Sequence, residues 1–167
     1  MNTLTSLTSP SQLKQIQILQ IAITAGPAIA FFTAIVMYLS ASGITDMITN
    51  KSLLLISLTA AHFAVLGLLF PISIVLPVRF LSRFKKTRGD IASGKLVIAA
   101  HNIRLILMVI PAFMGLSIVI LAISKGVLYE EPLYWANVAS FFILCAQTFL
   151  QFPTHKRLEQ WYGSSFS

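Results

Sequence analysis

Residues 105–124, LILMVIPAFMGLSIVILAIS, run for twenty positions without a charged side chain. A helix rises about 1.5 Å per residue, so this stretch reaches across a hydrocarbon core of roughly 30 Å. Outward from it, the gaps between charges leave three more such stretches: 15–45 (31 residues), 52–78 (27) and 132–155 (24). They predict an all-α integral membrane four-helix bundle. It forms a single transmembrane domain over 1–167, with helices near 14–42, 52–78, 96–125 and 132–155 and a basic loop at 79–95. A transmembrane barrel strand would alternate apolar and polar residues, and Leu53-Leu54-Leu55-Ile56 or Ile118-Val119-Ile120-Leu121 do not.

Composition points the same way. Charged residues make up 10% of the 167, against about 25% in soluble domains. With 56% hydrophobic residues, a water-soluble globule and a disordered chain are both excluded. Cys145 is the one cysteine, so no internal disulfide can form. The first stretch is read as a retained helix, because it is about twice as long as a signal peptide's apolar region.

Lys14, Arg79, Arg83, Lys85, Lys86, Arg88, Lys95, Arg104, Lys156 and Arg157 fall on one side of the predicted topology, and only Lys51 and Lys125 on the other. This ten-to-two split places both termini in the cytoplasm by the positive-inside rule. Tyr38, Tyr129, Tyr134 and Trp135 then sit near the outer interface, and Trp161 and Tyr162 just inside. The basic segment, with Arg79, Arg83, Lys85, Lys86 and Arg88, reads as a topogenic signal or as a lipid-headgroup contact of about 1 kcal/mol per residue. It is too short to present the folded basic face that nucleic acid requires.

A shift of 84 positions lays Pro27 on Pro111, Ala28 on Ala112 and Ser40 on Ser124, which leaves open two tandem helical hairpins in parallel repeat. Both prolines would lie within the bilayer and remove a backbone donor there. Ala22, Gly26, Ala30 and Ala34 form a four-residue-spaced small stripe on the first helix, the mark of close helix packing in lipid. The partner is left open: this chain, a second copy or another subunit.

Polar groups inside the spans are the candidate functional residues. Asn137, Ser140, Gln147 and Gln151 share one face of the fourth helix, either as a polar pathway or as hydrogen-bonding glue. His62 is an ionisable group within a span, 17 residues before Arg79 and so about 25 Å from that boundary. Near the cytoplasmic face, Gln17 and Gln20 fall on His101 and Arg104 under the same shift. With Asn102 they form a candidate polar pocket for a lipid or quinone head, or simply meet water.

Several chemistries are excluded. The small hairpins are similar in architecture to the rotor subunits of rotary ATPases, but every Asp and Glu lies outside the spans. Haem needs axial ligands at matched depth, and His101 and His155 lie far from His62, which leaves only a mixed site of His62 with Met37, Met108 or Met114. There is no Gly-x-Ser-x-Gly elbow, no His-Glu-x-x-His, no phosphate-binding glycine loop and no metal-ligating cluster.

Leu19-Gln20-Ile21-Ala22-Ile23-Thr24-Ala25-Gly26-Pro27 and Phe152-Pro153-Thr154-His155-Lys156-Arg157 resemble the opening and closing segments of uncharacterised four-helix bacterial inner-membrane proteins whose last helix ends in Phe-Pro-Thr and basic residues. The resemblance implies a bacterial inner-membrane location and carries no activity with it. The expected function is therefore non-catalytic, without a cofactor: an accessory or scaffolding subunit that meets lipid and other membrane subunits or its own copies. A small transporter or channel, and a quinone- or haem-associated redox subunit, are the alternatives.

Overall fold

The computed structural model describes residues 8–40, 53–88 and 93–162. Of these, 93% are helical and none is in a strand. The elements are α1 (Pro10–Ser40), α2 (Leu53–Arg88), α3 (Ser93–Ser124), α4 (Val127–Glu130), a 3₁₀ segment (Pro132–Val138), α5 (Ala139–Leu150) and α6 (His155–Tyr162). Four of these units are long and apolar enough to cross a membrane: α1, α2, α3, and the 3₁₀ segment with α5 over Pro132–Leu150. The chain is an α-helical membrane protein built as a four-helix bundle.

The helix α3 is the axis of the bundle. Half of its apolar window is buried, against 22% for α1 and 11% for α2. It packs against α1, α2, the 3₁₀ segment and α5, whereas α1 and α2 scarcely meet each other. The first two helices are thus not a packed hairpin equivalent to the second pair. The aligned residues differ in burial accordingly: Leu39 is exposed where Ile123 is buried, and Val36 is exposed where Ile120 is half-buried. Exposed Ile29, Phe32, Leu53 and Leu68 would be a solubility fault in water; in a bilayer they meet acyl chains.

Three segments differ from the sequence-based expectation. The stretch read as a basic loop is mostly helix, because α2 runs on to Arg88 and α3 begins at Ser93. Counting charges finds where a helix leaves the bilayer, not where it stops, and nothing between Arg79 and Arg88 breaks a helix. The fourth span opens as a 3₁₀ helix at Pro132 and ends at Leu150. Pro153 bars continuation and disfavours helical backbone at Phe152. Thr154 then starts α6, its carbonyl accepting from the Leu158 N–H at 2.9 Å and its hydroxyl from the Arg157 N–H at 3.3 Å. Residues 41–52, with Asp46 and Lys51, and 89–92, with Asp90, lie outside the described residues, as do the side chains of Lys85, Lys86 and Arg88.

Two apolar clusters hold the bundle. The larger gathers Ala34, Leu55, Met108, Leu116, Val119 and Leu144 around α3. The smaller, at the basic end, joins Ile16, Leu81, Val97 and Ala100 to Leu158 and Tyr162 of α6, which folds back against the ends of the longer helices. At the other end Gly126, at φ 72°, turns the chain from α3 into α4. There the Tyr129 hydroxyl donates to the Tyr38 carbonyl at 2.5 Å, and Tyr38 stacks on Tyr129 and meets Trp135 edge-on.

The small-residue stripe of α1 is only partly an interface. Four residues advance about 400° around a helix, so a four-residue repeat drifts by about 40° at each step. Ala34 is fully buried, and a side-chain carbon at Gly26 would stand 3.0 Å from the Phe113 ring, but Ala22 at the other end of the stripe is exposed. The buried face of α1 follows Ile16, Gln20, Pro27 and Ala34 instead.

Candidate functional site

Two buried polar clusters stand at different depths. The inner one is centred on His62 of α2, which is wholly buried. Its Nδ1 lies 2.8 Å from Asn137 Oδ1 and its Nε2 2.9 Å from Ser140 Oγ. The Asn137 amide is oriented by its own donors, since Nδ2 donates to the Tyr134 carbonyl at 3.0 Å and to Thr59 Oγ1 at 3.2 Å. Its oxygen therefore faces His62, whose Nδ1–H donates to it. A neutral ring then offers Nε2 as an acceptor to the Ser140 hydroxyl. That hydroxyl also stands 2.9 Å from the Pro111 carbonyl, so one proton has competing acceptors.

Gly115 makes this convergence possible. A side-chain carbon there would lie 2.1 Å from the Asn137 carbonyl oxygen and 2.9 Å from His62 Nε2. With both nitrogens engaged, His62 could ligate a haem iron only by giving up a hydrogen bond. Leu144, buried one turn beyond Ser140, separates this cluster from the polar groups farther along α5 toward the basic end.

The outer cluster lies at the basic end. His101 of α3 is 2% exposed, and its Nε2 lies 2.8 Å from Gln20 Oε1. Gln20 Nε2 donates to the Thr148 carbonyl at 3.1 Å, so the oxygen faces the imidazole and Nε2–H is the donor. Thr24 and Thr148 join hydroxyls at 2.9 Å. Arg104 donates to Gln151 Oε1 and holds its guanidinium 4.9 Å over the Trp161 ring. Trp161 also stacks parallel to His101. Gln17 reaches across to the Pro153 carbonyl at 2.9 Å, tying α1 to the turn before α6.

These residues border a cleft lined by Gln20, His101, Arg104, Gln147, Thr148 and Gln151 on its polar side and by Leu105, Met108 and Leu144 on its apolar side. Its empty space is about 260 Å³ counted to the open mouth, and the closed part has room for about one water molecule. His101 Nδ1 and Asn102 Oδ1 are buried without a hydrogen-bond partner. Tyr162, beside the cleft on α6, has its phenol raised above the ordinary value by burial, against a smaller lowering by the Arg104 charge.

The structure thus gathers Gln20, His101 and Arg104 around the cleft and leaves Gln17, bonded to the Pro153 carbonyl, and Asn102 outside its lining. The fourth-helix stripe divides: Asn137 and Ser140 turn to His62, while Gln147 and Gln151 line the cleft. Sequence reasoning missed Thr148, Thr24, Thr59 and Gly115. The four-residue spacing of Gln20 with Thr24 and of Leu144 with Thr148 was the available signal. Trp161 and Tyr162, placed by the sequence just inside the membrane interface, also close the outer cluster. Among the described residues no three His, Cys, Asp or Glu side chains converge. No protein-family model, no curated protein and no solved structure matches the chain.

Proposed function

We propose that the chain is a non-catalytic accessory or scaffolding subunit of a larger assembly in the bacterial inner membrane, with both termini and its basic end in the cytoplasm. The observation that carries this reading is the outward face of α2. Ser57, Ala60, Ala64 and Gly67 follow one another at helical offsets of 3, 4 and 3 and are all exposed. They lie on the side of the helix opposite Leu55, His62 and Ser73, which are buried. A side-chain carbon at Gly67 would meet nothing within 4 Å.

Small residues at this spacing allow another helix backbone to approach closely, which drives association where the hydrophobic effect is absent. The occupant of this face is a transmembrane helix of another subunit. The α1 stripe is a poorer candidate, since Gly26 is already met by Phe113. The charge split of ten basic residues to two supports the orientation.

The test is extraction of the tagged full chain in a mild detergent, with mass spectrometry of what accompanies it. A stoichiometric membrane partner that is lost on A64L/G67L substitution supports the proposal, provided the variant keeps its own unfolding transition. A lone monomer in every mild detergent, or a homodimer with no other subunit, overturns it.

A further inference from the structure

The outer cluster contains a half-buried cation without an anion. Among the described residues, Arg104 meets the Gln151 amide, the Trp161 ring and the Tyr162 phenol, with no carboxylate beside them. A guanidinium has five N–H donors in a planar fork, and Gln151 and the Tyr162 phenol engage only part of them. Of the chain's five acidic residues, only Asp90 and Glu159 fall at the basic end by sequence, and Glu159 is exposed on α6.

The neighbouring imidazole adds a second requirement. His101 donates through Nε2 to Gln20, so the neutral ring presents Nδ1 as a bare lone pair, buried and unpartnered, in a side chain that lines the same cleft. A fitting ligand must bring negative charge to Arg104 and an O–H donor to His101. The closed part of the cleft admits about one oxygen-sized group, and the rest of the ligand must remain at the open mouth.

We propose that Arg104, His101, Gln151 and Trp161 form a binding site for a phosphate group that carries or adjoins a hydroxyl. Arg104 binds the phosphoryl oxygens in the fork geometry that guanidinium and phosphate share. The hydroxyl donates to His101 Nδ1. Trp161 covers one side of the site, stacking on His101 and lying under Arg104. Such a group is offered by a phosphatidylglycerol headgroup or by inorganic phosphate. The inference makes no use of the α2 face, and so stands or falls apart from the proposed assembly role.

The experiment uses the purified full chain in vesicles of phosphatidylcholine, with and without phosphatidylglycerol, and separately in phosphatidylcholine with millimolar inorganic phosphate. Phenylglyoxal modification of each arginine is followed by peptide mass spectrometry. Slower modification of Arg104, with Arg79 and Arg157 unaffected, supports the site. Protection by phosphatidylglycerol alone assigns it to lipid, and protection by phosphate assigns it to the soluble anion. Native mass spectrometry provides a second readout: Arg104→Gln should reduce retained phosphatidylglycerol or phosphate about tenfold, and Lys156→Gln should not. Equal loss in both variants, or no protection of Arg104 by either probe in the unmutated protein, overturns the proposal.

Discussion

Gly115→Ala places a methyl group where the inner cluster has no room. The added carbon would lie 2.1 Å from the Asn137 carbonyl oxygen, a backbone atom that cannot rotate away, and 2.9 Å from two atoms of the His62 ring. Relief requires α3 to move from the 3₁₀ segment or the imidazole to leave its partners. Overpacking of this kind costs about 1–3 kcal/mol. Losing the His62 bonds to Asn137 and Ser140 adds about 0.6 kcal/mol each in a membrane interior. Alanine's better helix propensity returns at most about 1 kcal/mol. The expected net destabilisation is about 1–3 kcal/mol. Gly67→Ala is the matched control, since its carbon meets nothing within 4 Å, and it should be neutral or stabilising by up to about 1 kcal/mol. Reversible unfolding of the purified chain in mixed micelles, followed by intrinsic fluorescence, measures both. Equal shifts for the two variants, or an unchanged Gly115→Ala protein, would refute the close packing of α3 against the His62 cluster.

Leu158→Ala empties a fully buried position in the basic-end cluster and should cost about 2–5 kcal/mol; protease cleavage within α6 should then quicken while cleavage near Glu130 does not. Tyr129→Phe removes the bond to the Tyr38 carbonyl and should lower stability by about 1 kcal/mol in the same unfolding assay. Burial raises the Tyr162 phenol above 10.0, so folding favours the protonated form. The stability it contributes is full below about pH 10 and is lost as pH climbs through the raised value, and Tyr162→Phe should flatten that alkaline decline.

The spans were legible because charge is costly in hydrocarbon, and the absence of charge over 105–124 is unambiguous. Part of the outer cluster was legible for a related reason: Gln17 and Gln20 on α1, and His101 and Arg104 on α3, stand three residues apart near the same boundary, and helices crossing one bilayer bring equal depths together. What sequence could not supply was rotation. His62 and Asn137 are 75 residues apart, and whether their faces meet depends on how α2 and the 3₁₀ segment turn about α3. The α1 stripe shows the same limit, since small residues mark where close approach is allowed and not where a neighbour stands. Helix ends outside the bilayer were obscured because the solvent criterion that finds a span is silent once the chain reaches water. The α5 end at Leu150 is different, because Pro153 and Thr154 carried a stop and a start signal in plain view.

Single-cysteine labelling in intact cells, in a Cys145→Ala background, bears most directly on the topology from which the rest follows. Ser124→Cys and Glu130→Cys should react with a membrane-impermeant maleimide added outside, and Ser11→Cys, Ser82→Cys and Gln160→Cys only after permeabilisation. All five sites are exposed in the structure. Labelling of Ser82→Cys from outside, or of Ser11→Cys and Gln160→Cys on opposite faces, would contradict four crossings with the basic end in the cytoplasm.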